Sequence, residues 1–253
     1  MSSKAEPAGL CLQGLAMGDI QQDTVRNNLL RLMPRESFEA IAPHLEYVDL
    51  PRGAELSAPN EAPMYAFFPE TGIASIVARS PRGQHAEIGI FGRDGMTPTA
   101  IVLDAETDPY SIFMQVEGGG HRLASDQLKR ALSDRACLNL LTRYSQALSV
   151  QGAYTSLSNA VHHIDERLAR WILMCHDRTD GDEISLTHEF LSIMLAVRRP
   201  SVTTALHLLE GRKLIYSERG VIIVRDRIGL EDFARDAYGE SEREYNRLIG
   251  ALR

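Results

Sequence analysis

Ile184-Ser-Leu-Thr-His-Glu-Phe-Leu-Ser-Ile-Met-Leu-Ala-Val-Arg-Arg-Pro-Ser-Val-Thr-Thr-Ala-Leu-His-Leu-Leu-Glu-Gly-Arg-Lys-Leu-Ile-Tyr216 is the stretch whose reading decides the fold. Two short helices that cross steeply around a tiny core need a small residue at the crossing, a tight turn, and apolar groups facing inward from both sides. With His188 as the first position, Leu191, Leu195 and Val197 supply inward apolar groups and Ser192 is the small residue at the crossing. Ala196 falls at the tight turn, where glycine is commoner, and Val202 and Ala205 face inward from the second helix. Thr187 suits the N-cap of the first helix. Pro200 suits the first turn of the second, where no amide donor is needed.

The second helix, from Arg199 to about Gly211, is predicted to be the recognition helix of a helix-turn-helix, its N-terminal part entering the major groove of DNA. It offers Arg199, Ser201, Thr203, Thr204 and His207. Arginine bonds guanine with two donors, hydroxyls reach bases or phosphates, and a threonine methyl contacts that of thymine. Thr187 and the helix N-terminus are candidates for a phosphate. Beyond the helix, Lys213–Tyr216 and Val221–Val224 read as two short strands around Ser217–Gly220, a wing with Arg219 at its tip.

Charge supports this placement only locally. The whole chain carries −7, which points away from nucleic acid. From Ile184 to Arg225 six basic residues (Arg198, Arg199, Arg212, Lys213, Arg219 and Arg225) stand against Glu189, Glu210 and Glu218. The local field counts for a small binding module.

Working outward, Ile164, Leu168, Trp171, Ile172 and Cys175 mark one face of a helix, with Arg167 and Arg170 off that face and Asp180-Gly181-Asp182 as the turn after it. Before it, a proline-free helix runs from about Asp134, carrying Leu138, Leu141, Leu148, Leu157 and Val161, interrupted by Ser145, Gly152 and Thr155. A long helix with a partial stripe between two domains is a candidate dimer seam. Leu138, Leu141, Ser145, Leu148, Gly152 and Thr155 are its expected contacts.

From Tyr47 to about Leu123 the texture is β: Met64–Phe68, Ile73–Ala78, Ala86–Ile90 and Ser111–Val116 are separated by turn signals, among them Pro51–Gly53, Gly92–Gly95 and Gly118–Gly120. Many short, regularly spaced strands suggest a small β-roll or jelly roll. Ser125-Asp126 reads as the cap of a following helix. Two short helices precede the roll, one ending near Met33, the other from Arg35 to about His44. The expected class is therefore α+β: a mobile tail (1–20), a β-roll with flanking helices (21–133), a dimerisation helix (134–161), a winged helix-turn-helix (162–233) and a C-terminal extension (234–253).

At 44% apolar and 24% charged residues the composition is that of a soluble globular chain. No leader pattern and no run of eighteen apolar residues is present, so a cytoplasmic protein without a membrane partner is expected. Cys11, Cys137 and Cys175 are far apart and form no CxxC pair, as for ordinary thiols. No GxSxG or GxxxxGK[ST] string marks a nucleophile or a phosphate loop.

The order of parts resembles the Crp/Fnr family of bacterial transcription regulators. The resemblance spans roughly Asn28 to Phe233 and rests on Asp165-Glu-Arg-Leu-Ala-Arg170, Leu186-Thr-His-Glu-Phe-Leu191, Val197-Arg-Arg-Pro-Ser-Val-Thr203, Leu208-Leu-Glu, Leu214-Ile, Glu87-Ile-Gly89 and Gly92-Arg-Asp-Gly95. It implies a homodimer held by the long helix, a near-palindromic operator, RNA polymerase as a partner, and effector sensing in the roll around Glu87, Gly92, Arg93, Asp94 and Gly95. Two departures matter. Where many members begin the recognition helix with Arg-Glu and carry a second arginine a turn later, this chain has Arg199, Pro200 and Thr204, so its operator should differ. The cassette Gly92–Leu103 lacks the Arg-Ser pair of cyclic-nucleotide binders, and only Cys11 stands where the iron–sulfur branch has a cysteine cluster. No cofactor is expected, no metal site, and the effector is unknown.

Two other readings compete. A cupin-type metal enzyme would use His85 and Glu87 with His44 or His121, but lacks the paired histidines that fold needs. His162 and His163 are adjacent on a helix and diverge by about 100°. A sensor acting through protein partners without DNA would suit the unusual Pro200 and Thr204.

Overall fold

The computed structural model describes residues 20–252; the tail expected over 1–20, with Cys11, lies outside the described residues but for Ile20. Helices α1 (Asn28–Leu32) and α2 (Arg35–Ile41) come first. Asn27 starts α1 by accepting from the amides of Leu29 and Leu30, and its own amide nitrogen donates to the carbonyls of Pro69 and Gly95. One buried side chain thus caps a helix and ties it to the roll.

The roll is built from β1 (Glu46–Leu50), β2 (Glu55–Ser57), β3 (Tyr65–Pro69), β4 (Ile73–Arg79), β5 (His85–Phe91), β6 (Ser111–Val116) and β7 (Gly118–Ala124). They form two antiparallel sheets, ordered β1-β7-β3 and β2-β6-β4-β5. Val48, Leu50 and Phe67 of the first meet Ala74, Ile76, Phe91, Ile112 and Met114 of the second. The expected α+β architecture holds, with one instructive correction. Gly118–Gly120, expected as a turn, lies in β7, the central strand of its sheet. A β carbon on Gly118 would lie 2.2 Å from the Thr71 carbonyl oxygen, on Gly119 2.3 Å from Tyr47 Oη, and on Gly120 2.5 Å from the Phe68 carbonyl oxygen. These glycines permit close approach rather than a change of direction.

Helix α3 (Ser125–Ala131) begins at Ser125, which is not its cap; its hydroxyl donates to the Pro63 carbonyl. Helix α4 (Arg135–Val161) is the expected long helix, capped by Asp134, which accepts from the Ala136 amide at 2.9 Å. Then come α5 (Ile164–His176), β8 (Glu183–Ser185), α6 (His188–Met194), α7 (Arg199–Gly211), β9 (Ile215–Glu218), β10 (Val221–Val224) and α8 (Arg227–Ala234). The strands form a small sheet, β8-β10-β9. Trp171, Leu191, Val202, Ile222 and Leu230 share a core here that also takes in Ile73 and Ile90 of the roll. The two halves are therefore packed together, not strung on a linker.

The C-terminal extension returns to the N-terminal half. Helix α9 (Glu240–Leu248) lies against α4. Tyr245 and Leu252 enter the core formed by α1–α4, and Tyr245 Oη donates to the Asp94 carbonyl at 2.7 Å.

Packing of α4 revises the expected dimer seam. Leu141 is fully buried in its own protomer's core, so its side chain is not available to a second copy. Leu148 packs on the roll, a β carbon on Gly152 would lie 3.5 Å from the Ile88 carbonyl, and Thr155 receives a hydrogen bond from Arg170. Leu157 and Val161 are exposed, but sixteen and twenty residues beyond Leu141 they project about 160° and 200° around the helix from it. The open flank is Leu138, Thr142, Ser145, Ser149 and Ser156, each exposed or half-buried. The apolar members of the stripe serve the roll, and mainly small polar ones remain outside.

Candidate nucleic-acid interface

Helices α6 and α7 form the expected two-helix unit. Leu191, Leu195, Val202 and Ala205 are buried between them and Val197 packs against the same core. Thr187 is the N-cap of α6, accepting from the Phe190 amide at 3.3 Å. Pro200 sits in the first turn of α7, and the helix runs unbroken through it to Gly211.

The turn places Ala196 at φ +51°, a left-handed conformation that costs a non-glycine residue about 1–2 kcal/mol. Its side chain is exposed, so no contact would be lost. Ala196→Gly is expected to stabilise the protein by up to about 1 kcal/mol, the relief of strain being partly offset by the freer unfolded chain. Urea unfolding checks this; destabilisation beyond about 0.5 kcal/mol would contradict the assigned backbone geometry.

The outer face of α7 carries Arg199, Thr204 and His207 exposed, with Ser201 and Thr203 half-exposed, and Arg198 exposed just before it. Thr203 donates to the Arg199 carbonyl at 3.2 Å and Thr204 to the Pro200 carbonyl at 3.1 Å. With hydroxyl hydrogens turned back onto their own helix, these threonines present methyl groups and acceptor lone pairs outward. The wing is a hairpin of β9 and β10 whose turn, Arg219-Gly220, has both φ positive, at +46° and +83°, as a two-residue hairpin turn requires. Arg219 is exposed at that tip. On the same hairpin the Arg225 guanidinium stacks 5.0 Å from the Tyr216 ring centre.

Two features escaped sequence reasoning. Strand β8 adds a third strand to the wing sheet, paired to β10. Glu189, in the first turn of α6, reaches Arg199 Nη2 at 3.0 Å. No periodicity signals that second contact, because it joins two helices of different direction.

The residues expected around an effector are packed by the chain itself. Glu87 is buried and accepts from Trp171 Nε1 at 2.7 Å and Ser75 Oγ at 2.8 Å. Burial pushes its carboxyl up to about 7, against the opposing pull of those hydrogen bonds. Asp94 pairs with Arg178 of the post-α5 turn, and Arg93 Nη1 with Asp180 at 2.6 Å. A β carbon on Gly92 would lie 2.8 Å from the Gly72 carbonyl oxygen, and on Gly95 2.1 Å from Tyr144 Oη. About 10 Å³ remains among Ile90, Asp94, Gln151, Arg178 and Tyr245, no more than about one water needs. Glu87–Gly95 is a seam between roll, α5 and α9, not an open pocket.

The histidines are dispersed. His85 is exposed while Glu87 is buried, and His121 lies beside Glu70. Among the described residues no group of three or more His, Cys, Asp or Glu is placed to hold a metal. Cys137 and Cys175 are free and buried, and burial raises both thiols. Among the described residues no helix is long and apolar enough to cross a membrane.

Comparison with known proteins agrees with this geometry. Residues 166–233 match the family described as the Crp-like helix-turn-helix domain. No curated protein matches the chain. Among solved structures, FixK2 from Bradyrhizobium japonicum is 14% identical with a TM-score of 0.65, over 76% of this chain and 98% of that one. A CRP-family transcriptional regulator from Thermus thermophilus is 18% identical with a TM-score of 0.61, over 74% and 95%. A regulator of the Crp/Fnr family from Eubacterium rectale is 16% identical with a TM-score of 0.59, over 81% and 97%. At these identities the likeness is one of fold.

Proposed function

From the premise that residues 166–233 are a Crp-like helix-turn-helix domain on a chain with the fold of Crp/Fnr regulators, we propose that the protein is a homodimeric, sequence-specific DNA-binding transcription regulator. Arg199, Ser201, Thr203, Thr204 and His207 read bases from α7, while Arg198, Arg219 and Thr187 flank the phosphates. The observation that carries this is the exposed Arg199–His207 face on the second helix of a helix-turn-helix, followed by a hairpin with Arg219 exposed at its tip. The outward threonine methyls favour thymine contacts, and Arg199 a guanine. Dimerisation uses the open flank of α4, with Leu138 and Ser145 from the expected seam, which sets two half-sites of a near-palindrome. Cytoplasmic residence and contact with RNA polymerase accompany this role. No effector is assigned, since the Glu87–Gly95 seam is closed.

Mapping bound genomic DNA supplies the operator, and fluorescence anisotropy on it tests the reading. Affinity should fall steeply with salt, and half-sites should lie about one helical turn or a multiple apart. Arg199→Ala is expected to cost about 1–3 kcal/mol of binding and relax base choice at one position per half-site. Absence of binding at low salt would overturn the proposal; undiminished selectivity in Arg199→Ala would overturn the placement of the reading face.

A further inference from the structure

We propose that Glu189 is a specificity-determining residue of the DNA-reading surface, which positions the Arg199 guanidinium from the neighbouring helix. The proposal rests on the reading of Arg199 as a base contact. Between Arg199 and Leu209 helix α7 carries no acidic residue, so it cannot orient its own arginine. An unsupported exposed arginine samples many rotamers, and a guanine contact needs its planar fork held in one of them. The structure supplies the missing acid from α6: Glu189 Oε1 lies 3.0 Å from Arg199 Nη2, with the two side chains 67% and 61% exposed.

In the free protein so exposed a pair adds little to folding. Covered by DNA, it loses competing water and its attraction strengthens. The guanidinium has five donors. Two can face guanine O6 and N7 while another stays on Glu189. A second contact braces the same corner, His188 Nδ1 lying 3.4 Å from Thr203 Oγ1. The first turn of α6 therefore belongs to the reading surface along with α7.

The acid has a cost that gives the proposal its signature. A carboxylate facing DNA repels phosphates, whatever the base sequence. Removing it should tighten binding to random DNA while weakening base discrimination. A residue serving only the fold would not move the two in opposite directions.

The test uses the full chain on its mapped operator, on operators changed at each half-site position, and on random duplex. Glu189→Ala is expected to bind random duplex about threefold tighter at low salt, and to lose about tenfold in discrimination at the base pair read by Arg199. Glu189→Gln, which keeps an acceptor oxygen, should recover part of that discrimination. In an Arg199→Ala background, Glu189→Ala should leave base preference unchanged, and melting temperatures should match throughout. Unaltered discrimination in Glu189→Ala, or an equal loss with and without Arg199, overturns the proposal. Failure of the parent protein to bind any DNA would instead overturn the function proposed above, and this inference with it.

Discussion

Arg178→Ala is expected to lower folding stability by about 3–5 kcal/mol, the usual result of leaving one partner of a buried ion pair alone. Arg178 and Asp94 are 2% and 3% exposed. Nε and Nη2 donate to the two carboxylate oxygens at 3.0 and 2.7 Å, and Nη1 donates to the Met174 carbonyl at 2.7 Å. Asp94 also accepts from the Gly92 amide, and its carbonyl receives Tyr245 from α9. Without the guanidinium, a carboxylate remains where the roll, α5 and α9 exclude water. The double variant Asp94→Asn/Arg178→Met should be less damaging than Arg178→Ala, because both charges leave together. Urea unfolding followed by circular dichroism measures this. A loss under about 1 kcal/mol would mean that the seam is open to water in solution.

Glu87→Gln is expected to remove a pH dependence of stability on the order of 3 kcal/mol, the equivalent of raising a carboxyl from its ordinary value to about 7. Its sign follows from which state holds the proton. The folded protein keeps it up to about pH 7, whereas the unfolded chain releases it near 4.5. Folding thus takes up a proton in between. The stability linked to this group is full below pH 4.5, falls as pH rises toward 7, and is level above. Glutamine mimics the neutral acid and still accepts from Trp171. The variant should therefore gain on the parent between pH 5 and 8. Parallel stability curves over that range would contradict a carboxyl buried between the sheet and Trp171.

Both variants act on a seam whose residues sequence reasoning located without their partners. Gly92-Arg-Asp-Gly95 and Glu87 were legible as a cluster of polar residues in a turn region, which suggests a ligand. The groups that satisfy them, Trp171, Arg178 and Tyr245, come from 84 and 151 positions further along the chain. Local spacing carries no information about partners at that range. The same limit hid Glu189, whose relation to Arg199 depends on the crossing of two helices.

The helix-turn-helix was legible because its constraints are local. A cap at Thr187, a small residue at Ser192, a strained turn at Ala196 and a proline at the start of α7 are demands of a few consecutive residues on one another. Periodicity likewise marked α4 and four of the seven roll strands. The glycine run of β7 was misread, since glycine allows both a turn and a close approach, and only the neighbouring Thr71, Tyr47 and Phe68 decide between them.

The sequence by itself determined a helix-turn-helix, a long helix before it and a small β-roll, because hydrophobic period and turn chemistry act within one element. Tertiary structure decided the rest. It showed that the apolar side of α4 serves its own roll, that the expected effector region is a sealed seam, and that the C-terminal extension returns as a strap. Those outcomes turn on which buried polar groups find partners across the fold, and a buried charge with no partner is too costly to leave the choice open.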